Sequence, residues 1–132
     1  MRLGFVLAER KLLNLLAEQV GPWAVSGPTR VIGQACLLDT EGHARQRQRS
    51  EEASERLARL LEQFGFKPQG GCALFQWLIT EQAERLHVFM ARQGILLRLF
   101  PHNSSLRFGL PADEADWTRL AQAFETYTKE AQ

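Results

Sequence analysis

The chain has 132 residues, enough for one domain around a single core but short for a cofactor enzyme with a closed active site. Hydrophobic residues make up 45% and charged residues 23%, values that exclude wholesale disorder and a fibrous architecture. Sixteen Lys and Arg against fifteen Asp and Glu leave a formal charge of +1, so no global field draws the chain to nucleic acid or an anionic membrane, and any anion site must be local.

In chain order, Arg2 to Ala8 carries Leu3, Phe5, Val6 and Leu7 around Gly4 and is most easily a short strand. From Glu9 to Val20, Leu12, Leu13, Leu16 and Val20 recur at helical spacing until Gly21-Pro22 stops them. Ser26-Gly27-Pro28 restarts a helix with proline in its first turn, and Val31, Ile32, Ala35 and Leu38 form its apolar stripe as far as Thr40 to Gly42. A long helix is expected from His43 to Phe64. Its first half is polar, and its second half carries Leu57, Leu60, Leu61 and Phe64 at i, i+3, i+4 and i+7.

The run Phe66 to Gly71 is rich in breakers and reads as a turn, followed by a strand from Cys72 to Leu78. Thr80 is placed to cap a helix to Gln93 with Ala83, Leu86 and Met90 on one face, and Gly94 to end it in the left-handed region. Two strand-like runs, Ile95 to Phe100 and Ser105 to Leu110, flank the four-residue loop Pro101-His102-Asn103-Ser104 and should pair antiparallel. Asp113 with Asp116 three residues on is a variant capping box for a last helix built on Trp117, Leu120, Ala121 and Phe124. The order β, three helices, β, α, β, β, α specifies an α+β fold. Its small antiparallel sheet has strands near residues 72–78, 95–100 and 105–110, covered by helices.

Cys36 and Cys72 stand in dissimilar contexts without metal-ligand spacing and read as reduced thiols. No apolar stretch approaches the roughly 18 residues of a membrane span, and no secretory pattern opens the chain, so a cytoplasmic protein without membrane or nucleic-acid partners is expected. His43, His87 and His102 lack a zinc-like pattern, and no metal site is assigned. Arg45, Arg47 and Arg49 alternate with glutamines as a nucleic-acid patch could, but Glu51, Glu52 and Glu55 can pair with them at helical spacing, which favours a solvated face.

Arg98 and Arg107 are the most informative pair. If Phe100 stands opposite Ser105, the two arginines stand opposite each other on one sheet face. Like charges so placed cost up to about 1 kcal/mol, and an anion gripped between two guanidinium forks would remove the cost. Two exposed arginines on an edge hairpin are the alternative. His102, at the hairpin tip, could donate to a phosphate. Taken alone, Arg2 reads as an N-terminal surface residue.

Several segments together carry a resemblance: Phe64-Gly65-Phe66, the run Gly71-Cys72-Ala73-Leu74-Phe75-Gln76-Trp77-Leu78, Gln93-Gly94-Ile95-Leu96-Leu97-Arg98 and Ser105-Leu106-Arg107-Phe108-Gly109-Leu110-Pro111. In order and spacing they resemble the small domain of fold-type I aminotransferase-like, pyridoxal-phosphate-dependent enzymes. The Leu-Phe-Gln-Trp-Leu and Leu-Arg-Phe-Gly-Leu-Pro stretches are most similar to the threonine-phosphate decarboxylases of cobalamin biosynthesis. Arg2-Leu3-Gly4-Phe5 resembles the run after the family's cofactor lysine, and Gly21 to Ser26 resembles the loop toward its domain-connecting helix. The resemblance divides the chain into 1–40, a remnant of the large domain and interdomain segment, and 41–132, the C-terminal small domain.

By this resemblance Arg2 binds the cofactor phosphate, Arg107 the substrate α-carboxylate and Arg98 a second anionic group, here a small phosphorylated amino acid. The family's Schiff-base lysine, pyridine-pairing aspartate and ring-stacking aromatic have no counterpart. Lys11, Lys67 and Lys129 do not stand in its lysine motif. The resemblance therefore implies no catalytic residue in this chain, and pyridoxal 5'-phosphate held by the complete enzyme but not by this chain alone. A histidinol-phosphate aminotransferase-like piece and a non-catalytic anion-binding module are the alternatives. A strand at Leu3 to Leu7 without its sheet neighbours further implies a homodimer or higher oligomer.

Overall fold

The computed structural model describes residues 3–130. They fall into two compact units, Met1–Ala44 and Arg45–Gln132. In the first unit α1 spans Arg10–Val20 and α2 Gly27–Leu38. Gly21 ends α1 at φ 75°, where a side chain would be strained, and its N–H donates to the Ala17 carbonyl. Ser26 caps α2 by accepting from the Thr29 N–H, with Pro28 in the first turn as expected.

Residues 3 to 9 form no strand, which corrects the expectation for Leu3 to Leu7. A run of strand formers becomes a strand only where its N–H and C=O groups meet a neighbouring strand, and among the described residues no strand pairs with this one. Arg2 lies outside the described residues.

Helix α3 runs Thr40–Gln63 and starts earlier than the apolar pattern indicated, because the Asp39 carboxylate accepts from the Gly42 N–H at 2.8 Å and caps it. In the second unit its C-terminal half is followed by β1 (Gly70–Cys72), β2 (Phe75–Ile79), α4 (Ala83–Arg92), β3 (Arg98–Phe100), a 3-10 turn (Pro101–Asn103), β4 (Ser105–Gly109) and α5 (Glu114–Glu130). The four strands are antiparallel in the order β1-β2-β4-β3. The single strand expected over 72–78 is thus two, folded back at Ala73-Leu74 with Cys72 opposite Phe75. Gly70 and Gly71, read as turn residues, form the edge strand.

Strand alternation separates two faces. Leu78, Leu106 and Phe108 point to one face and are buried with Leu57 and Leu61 of α3, Leu86 and Met90 of α4, and Leu120 and Phe124 of α5. Phe124 is the hub: its ring stacks on Phe64 at 5.2 Å and on Phe108 at 6.0 Å. At the β1 edge, Ser54 donates to the Cys72 carbonyl at 2.7 Å and accepts from the Gln76 amide, which ties α3 to the first hairpin. All three helices therefore lie on one side of the sheet. Its opposite face carries Phe75, Trp77 and Ile79 of β2, Arg107 of β4, and Arg98 and Phe100 of β3.

Candidate functional site

The hairpin β3–β4 has the register derived from its loop, with Arg98 opposite Arg107 and Phe100 opposite Ser105. The turn closes on Ser104, a non-glycine residue in the left-handed region at φ 45°. Beside it the Ser105 hydroxyl donates to the Asn103 side-chain oxygen at 2.7 Å. Directly opposed residues share a face, so both arginine side chains rise from the side of the sheet opposite α4 and α5, and both arginines are exposed.

Aromatic rings offset part of the like-charge cost that the sequence left to an anion. The Arg98 guanidinium carbon lies 5.6 Å from the centre of the Phe100 ring, and that of Arg107 lies 5.4 Å from the Phe75 ring, both within cation–π range. Trp77 stands opposite Arg107 on the other flank of β4. Its ring meets that of Phe100 at 4.7 Å although the two residues belong to strands on either side of β4. The rings therefore close over β4 at Ser105, which is 0% exposed on a face otherwise open. His102 continues the strip, its ring edge-on to Phe100 at 6.4 Å.

This face is therefore an aromatic floor carrying two cations. The aromatic contribution was missed from sequence, although its signal was present: Phe75, Trp77 and Ile79 alternate along β2 on the side away from the core, and Phe100 follows Arg98 by two. A separate cavity of about 250 Å³ near the C-terminal helix, lined by Leu97, Leu110, Asp116 and Leu120, includes neither Arg98 nor Arg107. Among the described residues no group of three or more His, Cys, Asp or Glu could hold a metal ion, and no helix is long and apolar enough to cross a membrane. Both cysteines are free and exposed.

Fold and site together define a class: an α+β domain with helices on one side of a small antiparallel sheet and a paired-arginine face on the other. Comparison with known proteins narrows it, for the chain resembles a part of threonine-phosphate decarboxylase. The enzyme of that name from Pseudomonas aeruginosa is 51% identical over 122 residues, which is 92% of this chain and 37% of that protein. One from Sinorhizobium sp is 37% identical over 128 residues, 93% of this chain and again 37% of its own length. The chain thus spans little more than a third of the relatives it matches. No protein-family model matches it.

Proposed function

We propose that the chain is a C-terminal portion of a pyridoxal-phosphate-dependent L-threonine O-3-phosphate decarboxylase and supplies its substrate-anion contacts. In this reading residues 1–40 derive from the large domain and interdomain segment. The observation that carries the proposal is the Arg98–Arg107 pair, set in register on an open face in a chain similar to enzymes with this name. Each planar guanidinium can take a carboxylate or a phosphate with two parallel N–H donors. Arg107, in the inner strand β4, would hold the α-carboxylate, and Arg98, on the edge strand β3, the phosphate. Both matched relatives carry the decarboxylase name, which favours this reading over an aminotransferase.

The described residues do not fit pyridoxal phosphate on their own. An imine to the cofactor needs an amine held in an enclosed site, and Lys11, Lys67 and Lys129 are all exposed. No catalytic step is therefore assigned to this chain, and Arg2 enters only as the residue that would touch the cofactor phosphate in the complete enzyme.

Calorimetric titration of the chain with O-phospho-L-threonine tests the proposal. Binding should weaken by about 10-fold or more in Arg98→Ala and in Arg107→Ala, as expected when one charge-assisted contact is lost. The chain should release no carbon dioxide from the same compound when pyridoxal phosphate is added. Affinity indifferent to both substitutions, or turnover by the purified chain, would overturn the reading.

A further inference from the structure

The two arginines account for charge but not for what lies between the charges. Arg107 has Trp77 beside it, directly opposite in register, and Phe100 shares β3 with Arg98. The Arg98 guanidinium lies over Phe100 and that of Arg107 over Phe75, and the contact between the Trp77 and Phe100 rings at 4.7 Å spans β4, so a ligand bridging the two arginines would meet aromatic surface rather than open backbone. Trp77 is half-buried and tilted at 47° against the Phe100 ring. Its backbone carbonyl accepts from the Gln69 N–H at 2.9 Å, and its side chain has no hydrogen-bond partner among the described residues. An inorganic dianion would touch only the guanidinium groups, whereas a molecule with a carboxylate at one end and a phosphate at the other must lay its carbon bridge on the rings.

We propose that Trp77, braced by Phe100, is a specificity-determining residue of the two-arginine face and selects ligands whose two anionic groups are joined by a short aliphatic bridge over bare inorganic anions. The inference rests on the reading of Arg98 and Arg107 as anion contacts and adds a hydrocarbon contact to it. Burying one methyl or methylene against the rings is worth about fourfold in affinity, so a threonine-like bridge gains roughly an order of magnitude over phosphate alone.

The test is calorimetric titration of the full chain, wild type and variants, with three probes: O-phospho-L-threonine, O-phospho-L-serine and inorganic phosphate. In Trp77→Ala the preference for phosphothreonine over inorganic phosphate should fall by about 4- to 10-fold while inorganic phosphate affinity holds. Trp77→Phe, which keeps a ring, should restore most of it. Wild type should prefer phosphothreonine to phosphoserine by about fourfold, and Trp77→Ala should erase that step. Should Trp77→Ala melt before titration, Trp77→Gln, which keeps chain length but offers a polar surface, takes its place and should lower the same ratio. An unchanged ratio in the ringless variant, with binding still dependent on Arg98 and Arg107, overturns this inference and leaves the underlying reading standing. Binding indifferent to both arginines, or absent in wild type, overturns the two together.

Discussion

The chain's single tyrosine shows how one polar atom is tied into an apolar cluster. Tyr127 packs against Phe66 and edge-on to Phe89, and its hydroxyl donates to the Gln82 side-chain oxygen at 2.8 Å. Burial pushes the phenol above its usual range, and the nearby positive charge of Arg85 pulls part of the way back. An acid whose folded value is raised contributes fully below its unfolded value, near pH 10, and that contribution is lost as pH rises through the folded value. Tyr127→Phe should cost about 0.5–1.5 kcal/mol at neutral pH, since one hydrogen bond goes while its exposed acceptor can turn to water. Above about pH 10 the variant should lose less stability than the wild type. Denaturant midpoints across that range measure the difference, and phenolate absorbance, with one tyrosine present, reports the titration directly. Parallel pH curves for the two proteins would refute this account. The sequence could not show the partner, because Gln82 lies 45 residues away and is brought to Tyr127 only by the packing of α4 on α5.

At the scale of elements, the sequence was most legible where a local rule had one outcome. The cap of α5 is an example: the Asp113 carboxylate accepts from the Asp116 N–H at 2.9 Å, and Asp116 reaches back to the Ala112 N–H. The β3–β4 register followed from the loop, because a one-residue slip would have turned Leu106 and Phe108 out of the core. Legibility failed where pairing, not composition, decides. Cys72 to Leu78 is a continuous run of strand formers, and nothing in Ala73-Leu74 announces a reversal. At Gly71 a Cβ would stand 2.7 Å from the Phe75 carbonyl, so the tight return of β1 on β2 needs a glycine. Thr80 was expected to cap α4, yet its hydroxyl accepts from the Gln82 N–H in the turn before the helix, and α4 starts at Ala83. The other end of α4 was read correctly: Gly94 sits at φ 73°, and the next N–H, of Ile95, returns to the Met90 carbonyl at 2.8 Å. Gly94→Ala should therefore destabilise the second unit by about 1–2 kcal/mol through backbone strain alone, since the space around a Cβ there is empty. Equilibrium unfolding checks this, and a neutral or stabilising effect would contradict the left-handed stop.

For the whole molecule, the distribution of buried apolar surface separates the two units. Every buried core side chain belongs to Arg45–Gln132, whereas α1 and α2 bury none of their residues among the described structure. The apolar stripes that made those helices legible, Leu12, Leu13, Leu16 and Val20 in one and Val31, Ile32 and Leu38 in the other, are thus only partly covered, from 37% exposed at Leu13 to 71% at Leu38. Leu7 is 98% exposed in the unpaired N-terminal run, and Leu3, Phe5, Leu37 and Leu38 border an apolar cleft on the same unit. So many exposed large apolar side chains on one small unit favour covering them by association. We therefore expect a homodimer or higher oligomer formed through the first unit. The mass measured by sedimentation over a concentration series should rise from one chain toward two. The segment Arg45–Gln132, which holds its own core, should by the same argument fold and remain monomeric when expressed without residues 1–44. Paired substitution of Leu12 and Leu16 by Lys in the full chain should shift it toward monomer with the melting transition of the second unit preserved, because neither residue contributes to that core. A full chain monomeric at high micromolar concentration, or one whose association survives both the charge substitutions and removal of the first unit, would show that the exposed stripes are not what joins the subunits.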